Sequence, residues 1–241
     1  MPERSRRYRE MLEKAGDLTK PLPVDQAVAK LKEIASVSVA RKYKGARKRK
    51  EFDQTVEIVL HLGIDPKQAD QAIRGSVSLP KGIGVSKKVV AFCPPEMVEA
   101  AKAAGAVEAG ADDLIAKVTG GWADFDVAIA HPQLMGKVGK LGRILGPQGK
   151  MPSPKSGTVT PDVINAVKEY AAGKVEYRND EGGNVHAVVG KMSFDAASLK
   201  ENIEAFIAHI RKAKPASAKG QYIRKVAISG TMTPSVLCEV V

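Results

Sequence analysis

Between residues 52 and 65 the sequence FDQTVEIVLHLGID alternates, with Val56, Ile58, Leu60 and Leu62 on one side of the pattern and Thr55, Glu57, Val59 and His61 on the other. A period of two puts successive side chains on opposite sides of a strand, so this stretch predicts a strand with one buried and one polar face. Alternation resumes beyond Gly173 in KVEYRNDEGGNVHAVVGKMSF, where Glu181-Gly182-Gly183 reads as a hairpin turn, and QYIRKVAISGTMTPSVLCEV supplies two more strands around a turn. Between these half-exposed segments the pattern switches. KKVVAFC (87–93) and DVAIA (126–130) are continuous apolar runs, which suit strands covered on both faces.

Helices separate the runs. Pro94-Pro95 opens one that Gly105 closes, a second is predicted over 112–118, and a third over 161–172 has Thr160 as N-cap, Pro161 first inside and Gly173 just past the end. Strand, helix, strand, helix is the signature of a small parallel sheet. Outside this block, helices are predicted over 4–15, 25–35 and 196–212. The second presents Ala27, Val28, Leu31 and Ile34 on one face, and the third buries Leu199, Ile203, Phe206, Ile207 and Ile210. A short helical piece over 68–73 and a brief strand over 77–79 complete the pass. The economical architecture is one domain inserted into another, with crossings near Gly82 and Gly173. Two consecutive domains satisfy the same periodicity and stay open.

At 241 residues either arrangement has enough chain for real cores. With 44% hydrophobic but only 5% aromatic residues, those cores are built from Val, Ile, Leu and Ala. No apolar run approaches the ~20 residues of a membrane span. The N-terminus MPERSRRYREMLEKAG lacks the apolar centre of a secretory signal, so a cytoplasmic protein is expected. Cys93 and Cys238 have no metal-ligand spacing and are expected to be reduced and partly buried.

The formal net charge is +11, which points to a polyanionic partner. Residues 41–50, RKYKGARKRK, hold seven basic residues and no acid, so the rest of the chain carries only +4. A nearly balanced body with local basic patches fits a shaped binder better than a nonspecific one. A second unusual stretch is GKVGKLGRILGPQGKMPSPK (136–155), with five glycines, three prolines and five basic residues, in a segment free of acids from Asp126 to Asp162. It predicts a structured, positively charged loop, because prolines forbid a long helix and glycines permit sharp turns.

That loop is not a nucleotide-binding P-loop, since Met151 stands where Ser or Thr must hold magnesium and the earlier glycine is missing. Gly139-Lys140-Leu141-Gly142 matches the G-x-x-G with which KH domains clamp a nucleic-acid backbone, a pattern short enough to recur by chance. His61, His131, His186 and His209 fall in four separate predicted elements without metal-ligand spacing. Neither a nucleophile motif nor an acid–base pair is present, so no catalytic residue, metal or cofactor is expected. The strand after the basic run suits RNA better. Its polar face offers Thr55 and Glu57 beside Phe52, a hydroxyl and a carboxylate for ribose 2′-hydroxyls and a ring for a sugar or base.

At LGRILGPQGKMPSPKSGTVT (141–160) the chain closely resembles the signature of the ribosomal protein L-one family, the large-subunit protein of the mobile stalk near the tRNA exit site. The likeness extends through EFDQTVEIVLHLGIDPKQADQAIRGSVSLPKG, WADFDVAIAHPQLMG, GKVEYRNDEGGNVHAVVGK, AFIAHIRKAKPASAKG and SGTMTPSV, in the family order. The resemblance implies an α/β protein of two domains. One is a two-layer α+β domain formed by both chain ends (1–82 and 174–241), and the other an inserted three-layer α/β, Rossmann-like domain (83–173).

It further implies a structural constituent of the large ribosomal subunit in the cytoplasm. Its implied partners are large-subunit ribosomal RNA, bound through the terminal domain, the exit-site tRNA, whose release it assists, and its own operon messenger RNA, whose translation it represses. The implied rRNA and mRNA contacts are Phe52, Thr55, Glu57, Thr231, Met232 and Thr233, with Arg178, Asp180 and His186 on the hairpin. Lys140, Arg143, Lys150 and Lys155 are candidates for a secondary contact with rRNA or tRNA. A KH-like RNA regulator free of the ribosome is the alternative.

Three departures from the family pattern stand out. Gln54 replaces a glutamate, Thr233 replaces a glycine, and residues 41–50 read as an insertion. Because glycine alone adopts positive φ freely, Thr233 either finds a compatible backbone or shifts the Thr-Met pair.

Overall fold

The computed structural model describes residues 5–37, 52–68 and 70–240; residues 41–50 lie outside that set. In chain order the elements are α1 (Arg6–Ala15), α2 (Val24–Ala35), β1 (Thr55–Leu62), β2 (Arg74–Val77), β3 (Val89–Phe92), α3 (Val98–Ala103), β4 (Ala106–Gly110), α4 (Asp112–Thr119) and β5 (Val127–Ala130). They continue with the short α5 (Met135–Val138) and α6 (Gly142–Leu145), then α7 (Val163–Ala171), β6 (Val175–Arg178), β7 (Asn184–Lys191), α8 (Ala196–Lys212), β8 (Ile223–Gly230) and β9 (Val236–Cys238). The chain divides into two compact units. One comprises Met1–Ile73, Leu79–Gly84 and Arg178–Val241, the other Arg74–Ser78 and Val85–Tyr177.

The unit containing both chain ends is a four-stranded antiparallel sheet in the order β7-β1-β8-β9, with β1 central. Val56, Ile58, Leu60 and Leu62 are fully buried while Thr55, Glu57, Val59 and His61 are half-buried, as the alternation requires. Ala27, Val28, Leu31 and Ile34 of α2 and Leu199, Ile203, Phe206, Ile207 and Ile210 of α8 join the buried side. Among the described residues, α2 and α8 pack on the sheet as one helical layer, so sheet and helices form two layers. Asn202 of α8 is fully buried and satisfied: its amide donates to the carbonyls of Gly82 (2.9 Å) and Val189 (2.8 Å) and its oxygen accepts from the Lys81 N–H (3.1 Å). It fixes the 81–82 segment against β7.

The second unit holds a parallel sheet in the order β4-β3-β5. Alternate residues of each apolar run enter different cores. Val89, Ala91, Cys93, Val127 and Ile129 pack with Ala101 of α3 and Val163, Val167 and Tyr170 of α7. Val90, Phe92, Ala128 and Ala130 pack with Leu114 and Val118 of α4 and with Val138, Leu141 and Leu145. Both faces are therefore covered, giving three layers.

Several expectations are corrected. In place of a short helix, Gln68 lies in a bend, 70–71 in a turn and 72–73 in no regular element, and the brief strand sits at Arg74–Val77 instead of 77–79. Strand β6 pairs with β2, so 174–191 is not one continuous hairpin; only an isolated Asn179–Val185 bridge precedes the 180–183 turn. That pairing draws 74–78 and 174–177 into the second unit, while the main crossings fall after Gly84 and after Tyr177. The cap of α7 is Asp162, whose carboxylate accepts from the Asn165 N–H at 3.3 Å, while the Thr160 hydroxyl accepts from the Asp162 N–H at 3.2 Å. Strand β4 has no counterpart in the sequence reading. Cys93 and Cys238 are free thiols, fully rather than partly buried, and burial pushes the Cys238 thiol up to about 12.

Candidate nucleic-acid interface

Three segments meet at the N-terminal end of β1. Gln54, the residue before the strand, is buried, and its side-chain oxygen accepts the Met232 N–H at 3.1 Å while its carbonyl accepts the Met192 N–H at 2.8 Å. Asp53 beside it takes two bonds from Ser193, from the N–H (3.1 Å) and from the hydroxyl (2.8 Å). Thr231 grips the first residue of β1: its N–H donates to the Thr55 carbonyl at 3.0 Å, and its hydroxyl accepts the Thr55 N–H at 3.1 Å. The result is a laced platform built from 53–55, 191–193 and 230–233.

The two departures within this platform have local explanations. An amide oxygen accepts the Met232 N–H as a carboxylate would, so Gln54 supplies the acceptor without burying a charge. No described residue other than glycine has positive φ, so Thr233 sits in ordinary backbone. Its hydroxyl also accepts the Gly230 N–H at 2.8 Å and its N–H donates to the Gly230 carbonyl at 3.1 Å, closing a turn with Met232 at the tip.

On this platform stand two exposed apolar side chains, Phe52 at 66% and Met232 at 56% exposure. Beside them the Lys191 ammonium donates to the Thr55 hydroxyl at 2.8 Å. An ammonium has no acceptor, so the Thr55 oxygen receives this bond and its own proton is left to point elsewhere. Glu57 follows on the same face, flanked by Val188 on β7 and Ser229 on β8, and among the described residues no cation forms an ion pair with it.

The hairpin residues lie elsewhere. Asn184 stands opposite His61 and Lys191 opposite Thr55, so the 180–184 turn sits at the far end of β1, ~20 Å from Thr55 at ~3.4 Å per residue. Arg178 and His186 are exposed, but the Asp180 carboxylate is occupied inside its own turn. It accepts from the N–H groups of Asn184 (2.7 Å) and Gly182 (2.9 Å) and from the Asn184 amide (3.0 Å), with His186 at 3.5 Å. Those bonds, the ones from Asn184 foremost, hold its pKa down at about 2. Arg178, Asn179, Asp180 and Glu181 line a shallow open hollow with Pro66 and Ala72.

The glycine-rich stretch corrects its expectation more strongly. Residues 135–145 form consecutive helical turns that bury Val138, Leu141 and Leu145. The G-x-x-G falls inside those turns with Leu141 facing the core, so it is no open clamp. Lys150 is engaged: it donates to the Ala123 carbonyl at 2.8 Å and lies 5.2 Å from the centre of the Phe125 ring. Lys140, Arg143 and Lys155 are exposed.

Sequence reasoning missed Lys191. Asn184, His186 and Val188 set a parity that predicts residue 191 on the buried side. A bulge resets it, because Glu57 pairs with Val188 while Val56 pairs with Gly190, leaving Val189 as the extra residue. Among the described residues no cluster of three or more His, Cys, Asp or Glu could hold a metal, and no helix is long and apolar enough to cross a membrane.

Comparison with known proteins adds a separate finding. The sequence profile described as the Ribosomal protein L1p/L10e family matches residues 40–234. The Large ribosomal subunit protein uL1 of Kosmotoga olearia is 48% identical over 236 residues, 98% of this chain and 96% of its own length. Its counterpart in Lactobacillus gasseri is 50% identical and that in Saccharophagus degradans 48%, over the same shares.

Proposed function

Because the chain belongs to the ribosomal protein L1p/L10e family, we propose that it is a non-catalytic, structural constituent of the large ribosomal subunit that binds large-subunit rRNA directly through the unit made of both chain ends. The observation that carries this reading is the platform at the start of β1, where exposed Phe52 and Met232 stand beside the Thr55 hydroxyl, the Lys191 ammonium and Glu57. Phe52 and Met232 present apolar surface to a base or sugar; stacking on an aromatic ring is worth ~1–3 kcal/mol per base. Glu57 only accepts hydrogen bonds, so it rejects phosphates and favours the donor that RNA has and DNA lacks, the ribose 2′-hydroxyl.

In this reading, the second unit, 74–78 with 85–177, is the inserted domain that moves with the stalk and assists release of the exit-site tRNA. Lys140, Arg143 and Lys155 supply its cationic contacts, and Lys150 is withdrawn as a contact because its ammonium is held internally. The same platform binds the chain's own operon messenger RNA, so rRNA and mRNA compete for it and translation is repressed only when rRNA is scarce.

Met232→Asp places a charge on the apolar tip. It is expected to weaken binding to a stalk rRNA fragment by ten-fold or more while leaving binding to unrelated duplex RNA unchanged, as read by filter binding; equal loss on both RNAs would sink the proposal. Sedimentation with large ribosomal subunits separates this role from that of a free RNA regulator, which stays at the top of the gradient.

A further inference from the structure

Between Glu204 and Glu239 the chain carries Arg211, Lys212, Lys214, Lys219, Arg224 and Lys225 and no acidic residue. The fold gathers the last four at one end of the sheet. The Gly63 N–H donates to the Tyr222 carbonyl at 2.7 Å, which ties the segment before β8 to the end of β1. The Lys214 ammonium reaches the Gly220 carbonyl at 3.4 Å and lies 5.9 Å from the centre of the Tyr222 ring. Lys225 stands opposite His61. Lys219, Arg224 and Lys225 are exposed, and among the described residues none of the three takes part in an ion pair. Cations held together without counter-charges repel one another, and a polyanion relieves that repulsion.

The place of this cluster is informative. On the β1–β8 pair, Val56 opposite Gly230 marks the platform end and Leu62 opposite Ile223 marks the cluster end, ~20 Å apart at ~3.4 Å per residue. The open face between them holds Glu57 beside Ser229 and Val59 beside Ala227, mostly short and uncharged groups that leave a low path. We propose that Lys219, Arg224 and Lys225 bind backbone phosphates of the same folded RNA that the Phe52–Met232 platform contacts, so that this RNA lies along β1 and β8 with its sugars and bases read at one end and its charge neutralised at the other. The proposal rests on the RNA-binding reading of the platform and extends it to a second, chemically different end.

The test is the full chain carrying Lys219→Gln, Arg224→Gln and Lys225→Gln, with binding to the stalk rRNA fragment measured between about 50 and 200 mM salt. Three lost phosphate contacts flatten the slope of log affinity against log salt by about 2 to 3, at roughly 0.7–0.9 per contact. Met232→Asp, measured in parallel, is expected to lower affinity with its slope unchanged. An unchanged slope in the triple variant overturns the proposal and leaves the cluster to another anionic partner. Flattening of the same size on single-stranded polyuridylate also overturns it, since the cluster then binds any polyanion. If Met232→Asp has no effect while the triple variant flattens the slope, the platform reading fails, and with it the shared path, although the cluster binds RNA. Should the triple variant not fold, Lys225→Gln alone is expected to flatten the slope by about 0.7 to 0.9, and no change overturns the proposal.

Discussion

At Thr55 two hydrogen bonds of opposite polarity meet: the backbone N–H donates to the Thr231 hydroxyl, and the side-chain oxygen accepts from the Lys191 ammonium. The second bond decides what Thr55 can offer a ligand. With its oxygen already accepting a hydrogen bond from Lys191, the hydroxyl is polarised as an outward donor. Thr55→Val and Lys191→Met are each expected to weaken rRNA binding roughly 10-fold, the scale of a hydrogen bond involving a charged group. The double variant is expected to lose much less than the two together, because both changes remove the same donor. Additive losses in filter binding would show that Lys191 acts alone as a phosphate contact. Thr55 and Glu57 were legible in the sequence because alternation assigns a face from polarity alone. Lys191 was not, because one extra residue in β7 inverts the parity and no local signal announces a bulge. Asp180 marks the other limit: an acid on a hairpin looks available, and only the geometry reveals that its oxygens are already committed to the turn.

Among the elements, the stretch from Met135 to Leu145 shows where composition misleads. Glycine and basic residues suggested a loop, yet Val138, Leu141 and Leu145 recur at helical spacing and are buried at 0–1% exposure, so apolar periodicity outweighed propensity there. Leu141→Ala is expected to cost ~2–5 kcal/mol of stability by leaving a cavity among α4, β3 and β5, read as a lower denaturant midpoint. A loop leucine would cost well under 1 kcal/mol, and a loss that small would return the stretch to its loop reading. The long helices and the core strands were readable because their patterns run for several periods. Strand β4 was not: AVEAG is poor in β-formers, and its strand geometry comes from parallel pairing with β3 across the intervening α3, a partner of which its own five residues carry no sign. The β2–β6 ladder escaped for the same reason, with about a hundred residues between its strands.

For the molecule as a whole, charge is the quantity that adds. Residues 41–50 contribute +7 of the +11, and the cluster around Lys219, Arg224 and Lys225 is a second concentration within an otherwise nearly balanced body. Counterion release counts neutralised phosphates and ignores which residue neutralises them. If residues 41–50 meet about 4 phosphates, deleting them flattens the salt slope by roughly 3, and the Lys219/Arg224/Lys225 triple variant removes about 2 to 3 independently. Combining the two is therefore expected to flatten the slope by about 5 to 6 in the same titration of the stalk rRNA fragment. A combined change no larger than either alone would mean that both basic regions compete for one set of phosphates. That outcome would place residues 41–50 and the β8 cluster on the same stretch of RNA, whereas additivity assigns them separate stretches and makes the RNA footprint longer than the sheet face alone can cover.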